Sequence, residues 1–201
     1  MQKEQKSPNS KYLRDLDFKA RTIDEVTRTV ELSFSSEQPY QRWFGSEILS
    51  HDDGAVDLKR LQEIGVLLFN HNRDYVLGKI TEVSVVEDRG VAKVQLDEDA
   101  EAEKIYQKIK SGTLKGVSVG YMVDIWEEVA AGSMSTNGKF AGPCSVAIKW
   151  TPYEISIVSV PADDGVGVGR DLNDDDINVK QAELLRQRNS NRILLILGGK
   201  Y

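Results

Sequence analysis

Apolar residues recur mostly at every second position in short runs, the period of half-buried strands rather than of helices. In Thr27–Ser35 the residues Val30, Leu32 and Phe34 fall on one face, and Ser35–Pro39 breaks the run. Val66–Asn70 is a continuous apolar strand that delivers His71 at its end. Leu77–Val86 and Gly90–Leu96 read as antiparallel partners joined by the turn signal Glu87-Asp-Arg-Gly. Gly116–Trp126 alternates again, Ser145–Trp150 and Tyr153–Val160 read as two further strands, and Pro161-Ala-Asp-Asp-Gly ends the β region. Ala130–Pro143, rich in Gly and Ser and holding the turn dipeptide Asn137-Gly138, reads as a long surface loop.

Two stretches change period. In Asp97–Ser111 the residues Ala102, Ile105 and Ile109 are spaced by three and four, acids crowd the start, and Lys108 and Lys110 come last. That ordering suits the helix dipole, and Gly112 is a natural stop. Asp57–Ile64 predicts a shorter helix, with Leu58, Leu61 and Ile64 on one side. Residues 1–12 are polar and read as a disordered arm without a secretory signal. Beyond residue 170 come an acidic stretch (171–178), a predicted helix (179–188) and a short apolar run (192–199). The acidic stretch fails as a calcium loop because its sixth position is Asp176 and its twelfth Ala182, where Gly and Glu are needed.

Composition narrows the classes. A chain of 201 residues suits one domain with a tail. The net charge of −6 argues against a general nucleic-acid binder, which needs a basic face. The longest apolar runs, Val66–Phe69 and Ile193–Leu197, are far below the roughly 20 residues of a membrane span. A single cysteine, Cys144, excludes an intrachain disulfide and a cysteine-rich zinc site; it reads as a packing residue.

The sharpest chemical signal is Gly116-Val-Ser118-Val-Gly120, which fits G-x-S-x-G. In an α/β-hydrolase this motif is a strand-to-helix elbow, with the triad histidine later in the chain. Here no histidine follows Ser118 and a strand continues after it, so that fold is rejected. The serine still needs a base to act as a nucleophile. Of the two histidines, His71 ends an apolar strand, whereas His51 lies in the polar segment Ser50-His-Asp-Asp-Gly with little to fix it. A third group would orient the imidazole. Glu154, interrupting the apolar strand Tyr153–Val160, and Asp74, three residues after His71, are both open for that role.

In order along the chain stand Leu67-Leu-Phe-Asn-His71 with Leu77-Gly-Lys, the helix 102–111, Gly116-Val-Ser-Val-Gly-Tyr, and Glu154-Ile-Ser-Ile-Val-Ser-Val-Pro-Ala-Asp. This order resembles the prohead proteases of tailed bacteriophages, relatives of the herpesvirus assemblins, over about Leu16–Asp163. The resemblance implies a mainly β fold with flanking helices (α+β), a closed β-barrel, in a protease domain over 13–170. It implies His71 as base, Ser118 as nucleophile and Glu154 in the third position, where the herpesvirus enzymes have histidine. Their oxyanion arginine is missing from the loop after residue 160, so a backbone N–H near Ala162–Asp164 is the expected donor. No metal or organic cofactor is implied.

The implied activity is a serine endopeptidase that cleaves scaffold and coat protein, and itself, inside the immature capsid in the host cytoplasm. Its partners would be the major capsid protein and its scaffold segment. The tail 171–201 would serve self-processing or scaffold docking. A homodimer is allowed, because dimerisation activates the herpesvirus relatives; neither nucleic acid nor membrane is implied as a partner. Two rival classes stay open: a catalytically silent capsid-assembly or scaffold protein on the same fold, and a phage binding module without enzymatic ancestry.

Overall fold

The computed structural model describes residues 10–17 and 22–160, which form ten strands and two helices. Strands β1 (Lys11–Asp17), β2 (Thr22–Asp24) and β3 (Thr29–Ser36) come first, followed by the small hairpin β4 (Tyr40–Arg42) and β5 (Gly45–Leu49). Helix α1 (Lys59–Ile64) precedes β6 (Val66–Phe69), and a long hairpin follows, β7 (Asn72–Val86) with β8 (Arg89–Leu96). Helix α2 (Ala100–Lys110) leads into β9 (Gly116–Val129) and β10 (Cys144–Val158).

One sheet holds the strands in the order β1-β9-β10-β6-β7-β8-β3-β2, with β5 also paired to β10 and β4 to β5. Neighbours are antiparallel except that β10 runs parallel to β5 and to β6. A single apolar cluster draws on β3, on β5 through β10 and on both helices. Strands far apart in the sheet order, such as β3 and β9, share it, so the sheet curls around its core. The closed barrel expected from the sequence is not made: β1 and β2 are the two ends, and no ladder joins them among the described residues. A barrel needs every strand paired on both sides, whereas β1 pairs only with β9 and the three-residue β2 only with β3.

Local reasons for the elements are readable. Val30, Leu32 and Phe34 are fully buried on one face of β3, with Leu32 opposite Ala92. Asp99 caps α2 by accepting from the backbone N–H of Glu101 (2.9 Å) and Ala102 (3.0 Å). Ala102, Ile105, Tyr106 and Ile109 form the buried stripe of α2, and Gly112 leaves the helix at φ 70°. Cys144 is buried with Ile48, Val129 and Val146, and burial raises its thiol pKa, as a packing residue requires.

Several elements differ from the alternation pattern. Lys11 and Tyr12, read as part of the arm, belong to β1, where Tyr12 stacks on Tyr121 with ring centroids 5.7 Å apart. Ile64 is 65% exposed although it follows Leu61 by three residues. Each step of three falls about 60° short of a full helical turn, so two steps carry Ile64 off the buried side. Residues 145–158 form one strand rather than two. Pro152 is tolerated there because β5 pairs at Ser145–Ala147 and β6 at Ile155–Ile157, so the missing N–H falls between the two ladders.

The β4–β5 hairpin had no alternation signal, because its buried residues Glu47, Ile48 and Leu49 are consecutive and the first is charged. Glu47 is fully buried there; its carboxylate accepts from the Tyr121 hydroxyl, whose oxygen accepts from Arg42 Nη2 at 2.8 Å. Burial, and then the Glu47 carboxylate, hold the Tyr121 hydroxyl well above its ordinary pKa. Arg14 of β1 is 1% exposed and donates to the Gln38 carbonyl. The arm (residues 1–9), the loop donor at 162–164 and everything expected of 171–201 lie outside the described residues.

Candidate active site

Strands β9 and β10 build the site through the pleat. Val117 and Val119 on β9 and Ile155 and Ile157 on β10 are buried in the core cluster, so the alternate residues Ser118, Gly120, Glu154 and Ser156 share the opposite face. Register places Ser118 directly opposite Ser156 and Gly120 opposite Glu154. On the other side of β10, Leu68 of β6 pairs with Ser156. Four strands thus meet at one spot of the outer face, because Asp15 of β1 pairs with Ser118.

His71 reaches this face through the turn from β6 to β7. Asn70 (φ 50°) and His71 (φ 58°) are both left-handed, as the two central residues of a tight hairpin are. A non-glycine residue there costs on the order of 1–2 kcal/mol, so the surroundings must hold it. The Asn70 N–H donates to the Ile157 carbonyl (2.9 Å), and its side-chain oxygen accepts from the Ser159 N–H (2.9 Å). The His71 N–H donates to Ser156 Oγ at 3.2 Å.

So held, His71 Nδ1 lies 2.5 Å from Glu154 Oε1. Their side chains are 23% and 10% exposed, a half-dry setting in which a charge-assisted hydrogen bond is strong. A carboxylate only accepts, so Nδ1 donates to Glu154 and Nε2 is the ring nitrogen left for another partner. Asp74, the other candidate partner, is exposed on β7, with its backbone N–H on Asn72 Oδ1.

Ser118 is fully buried, and its hydroxyl donates to the Arg14 carbonyl of β1 at 3.2 Å. Among the described residues no hydrogen bond joins Ser118 to His71; Ser156 stands opposite Ser118 in the register and accepts from the His71 N–H. The second glycine of G-x-S-x-G has a steric reason. A Cβ on Gly120 would come within 2.6 Å of Glu154 Cγ and 2.8 Å of the Tyr153 ring, so only glycine lets Glu154 lie across β9. Sequence reading missed Gly120, Ser156 and Asn70 as parts of the site. The parity of Gly120 and Ser156 with Ser118 and Glu154 was visible, but neither the strand register that unites them nor the turn that brings in Asn70 was.

His51 is not the loosely held residue its segment suggested. It is 5% exposed; Nε2 meets Ser35 Oγ at 2.7 Å and Nδ1 the Leu49 carbonyl at 3.0 Å. Burial lowers its pKa from 6.5 to about 4. A neutral ring wedged against Trp150 (centroids 5.6 Å apart), with no carboxylate on either nitrogen, reads as core structure.

Histidine, carboxylate and serine gathered on one sheet face supply the groups that nucleophilic acyl transfer uses. Comparison with known proteins then gives the family. A match to the caudovirus prohead serine proteases covers residues 52–176, well over half of the chain. The chain belongs to that family. It is 35% identical over 165 residues to the major capsid protein of Halomonas phage phiHAP-1, covering 79% of this chain and 26% of that protein. It is 29% identical over 102 residues to the capsid polyprotein of Pseudomonas phage PAJU2, covering 47% of this chain and 14% of that protein. It therefore spans about a quarter of the first relative and a seventh of the second. No solved structure matches it.

Proposed function

We propose that this chain is a serine endopeptidase that cleaves coat and scaffold protein, and itself, during phage capsid maturation. The observation that carries this reading is the 2.5 Å contact from His71 Nδ1 to Glu154, on the sheet face that also bears Ser118. His71 is the general base, Ser118 the nucleophile and Glu154 the group that fixes the tautomer and stabilises the imidazolium. Relatives that are a major capsid protein and a capsid polyprotein support coat protein as the substrate. The curled sheet serves here as the barrel of the resemblance. The site of action is the immature capsid within the host cytoplasm, and a homodimer is the assembly to look for.

The steps balance without a cofactor. The Ser118 hydroxyl turns from the Arg14 carbonyl and gives its proton to His71 Nε2 as Oγ attacks the peptide carbonyl carbon. The tetrahedral intermediate expels the amine, which takes the proton from His71 and leaves an acyl ester on Ser118. Water, deprotonated by His71, attacks that ester; His71 returns the proton to Ser118 as the acid is released. General-base assistance of this kind is worth about 10²–10⁴-fold.

A second reading, a catalytically silent capsid-assembly protein on the same fold, is favoured by the full burial of Ser118 and the donation of its hydroxyl to Arg14. Intact mass of wild type and Ser118→Ala, each expressed with the coat precursor, separates the two. Trimming of coat or self that vanishes in the mutant is expected. Trimming that persists would reject Ser118; no trimming and no labelling of wild type by a fluorophosphonate would favour the silent reading.

A further inference from the structure

We infer that the groove beside Glu154 is a specificity pocket for an acidic side chain flanked by apolar ones in an extended peptide. This rests on the protease reading and names the substrate class of that same site. The groove, of about 480 Å³, reaches from Glu154 to Met122 and carries three cations, Lys11, Arg60 and Arg73. They come from three separate elements: β1, α1 and β7. The carboxylate of Glu154 in this groove is already engaged by His71. Neither Arg60 nor Arg73 lies within 4.0 Å of another described carboxylate, and the Lys11 ammonium sits over the Tyr153 ring at 5.6 Å from its centroid. A positive pocket on a chain of net charge −6 is a local inversion that selects an anion.

The apolar component is equally placed. Ile64 (65% exposed) and Val66 (40% exposed) form one wall, and Leu13 (43% exposed) stands on the same face of β1, opposite Gly120. These side chains gain only if something covers them. Distance along the strand gives the register of the occupant. Gly120 lies two residues and Met122 four residues from Ser118 on β9, about 7 and 13 Å at roughly 3.3 Å per residue. An extended substrate bonded at Ser118 therefore places in the groove the side chains two to four residues from the bond to be cut.

The test uses fluorescein-labelled nonapeptides with one Asp between two leucines, against the same peptides with Gln or Lys replacing Asp. Binding is read by anisotropy on full-length Ser118→Ala, and cleavage by mass spectrometry on wild type. Asp peptides should bind up to about fivefold more tightly than Gln peptides, the upper range of one exposed ion pair, and cleavage should fall within four residues of the Asp. Arg60→Glu/Arg73→Glu should invert the order so that Lys peptides bind best, an outcome that misfolding cannot produce. Binding with the Asp preference but no cleavage would uphold the pocket and overturn the protease reading. Cleavage indifferent to Asp, Gln or Lys would overturn the pocket and leave the protease standing. No binding by any of the peptides would also overturn the pocket.

Discussion

Replacing Gly120 by alanine adds one methyl where β9 passes beneath Glu154. In the native contact geometry that methyl carbon would lie 2.6 Å from Glu154 Cγ and 2.8 Å from two Tyr153 ring atoms, where ordinary contact begins at 3.4 Å. Glu154 must therefore retreat by about 0.8 Å and Tyr153 by about 0.6 Å, amounts worked from the contact distances. Overpacking of this size costs about 1–3 kcal/mol, a drop in melting temperature on the order of 5 °C for a chain of this length. The functional effect is larger, because the displaced group is the one bonded to His71 Nδ1 at 2.5 Å. A misplacement approaching 1 Å costs on the order of 10²-fold in rate. Calorimetry and the initial rate of coat-precursor cleavage measure the two effects. In a Glu154→Ala background the clash with Glu154 Cγ is gone and the methyl meets only the Tyr153 ring, so the second loss should largely disappear while part of the stability loss remains. A Gly120→Ala protein with wild-type cleavage and an unchanged melting temperature would refute the reasoning, since Glu154 would then not depend on a bare backbone at Gly120.

Other perturbations test separate parts. Under the proposed mechanism Glu154→Gln keeps the shape but removes the charge assigned to stabilise the imidazolium, so cleavage should fall by about 10²–10⁴-fold with the fold intact by circular dichroism. Ser156→Ala removes the acceptor of the His71 N–H, and should lower kcat more than it raises KM in peptide kinetics. Glu47→Leu leaves Arg14 and Arg42 without their buried counter-charge and should cost about 3–5 kcal/mol in urea unfolding. His51 has a folded pKa of about 4 against 6.5 when unfolded. Its unfolded form therefore binds more protons between those values, and stability falls as pH drops from 6.5 towards 4, by about 3 kcal/mol at most. His51→Gln should flatten that slope in denaturation midpoints measured from pH 7 to pH 4.

Helix α2 could be read from its sequence, because its signals are local: acids first and lysines last, an apolar stripe at helical spacing and Gly112 as the stop; the structure then made Asp99 its cap. Strand β3 and the β7–β8 hairpin were equally legible, since a period of two and a turn segment lie within one short window. His71 and Ser118 could be nominated from their positions alone. The choice between Glu154 and Asp74 could not, because Glu154 meets His71 across 83 residues of chain while Asp74 is only three residues away.

The same distinction separates the hairpin β4–β5 from its alternating neighbours. Its buried residues Glu47, Ile48 and Leu49 are consecutive and begin with a charge, and the Tyr121 hydroxyl that satisfies Glu47 comes from a distant strand, so no alternation in the run 40–49 marks it. Ile64 keeps helical spacing and yet faces the groove, since what lies across from a helix is decided by neighbours it does not encode. Periodicity and turns are short-range consequences of backbone geometry, and they marked the helices and the alternating strands and nominated His71 and Ser118 as candidates, but not the β4–β5 hairpin. Register, the open edges of the sheet and the meeting of His71, Glu154, Ser156 and Ser118 depend on long-range burial. That free energy is shared by the whole core, and only the folded chain expresses it.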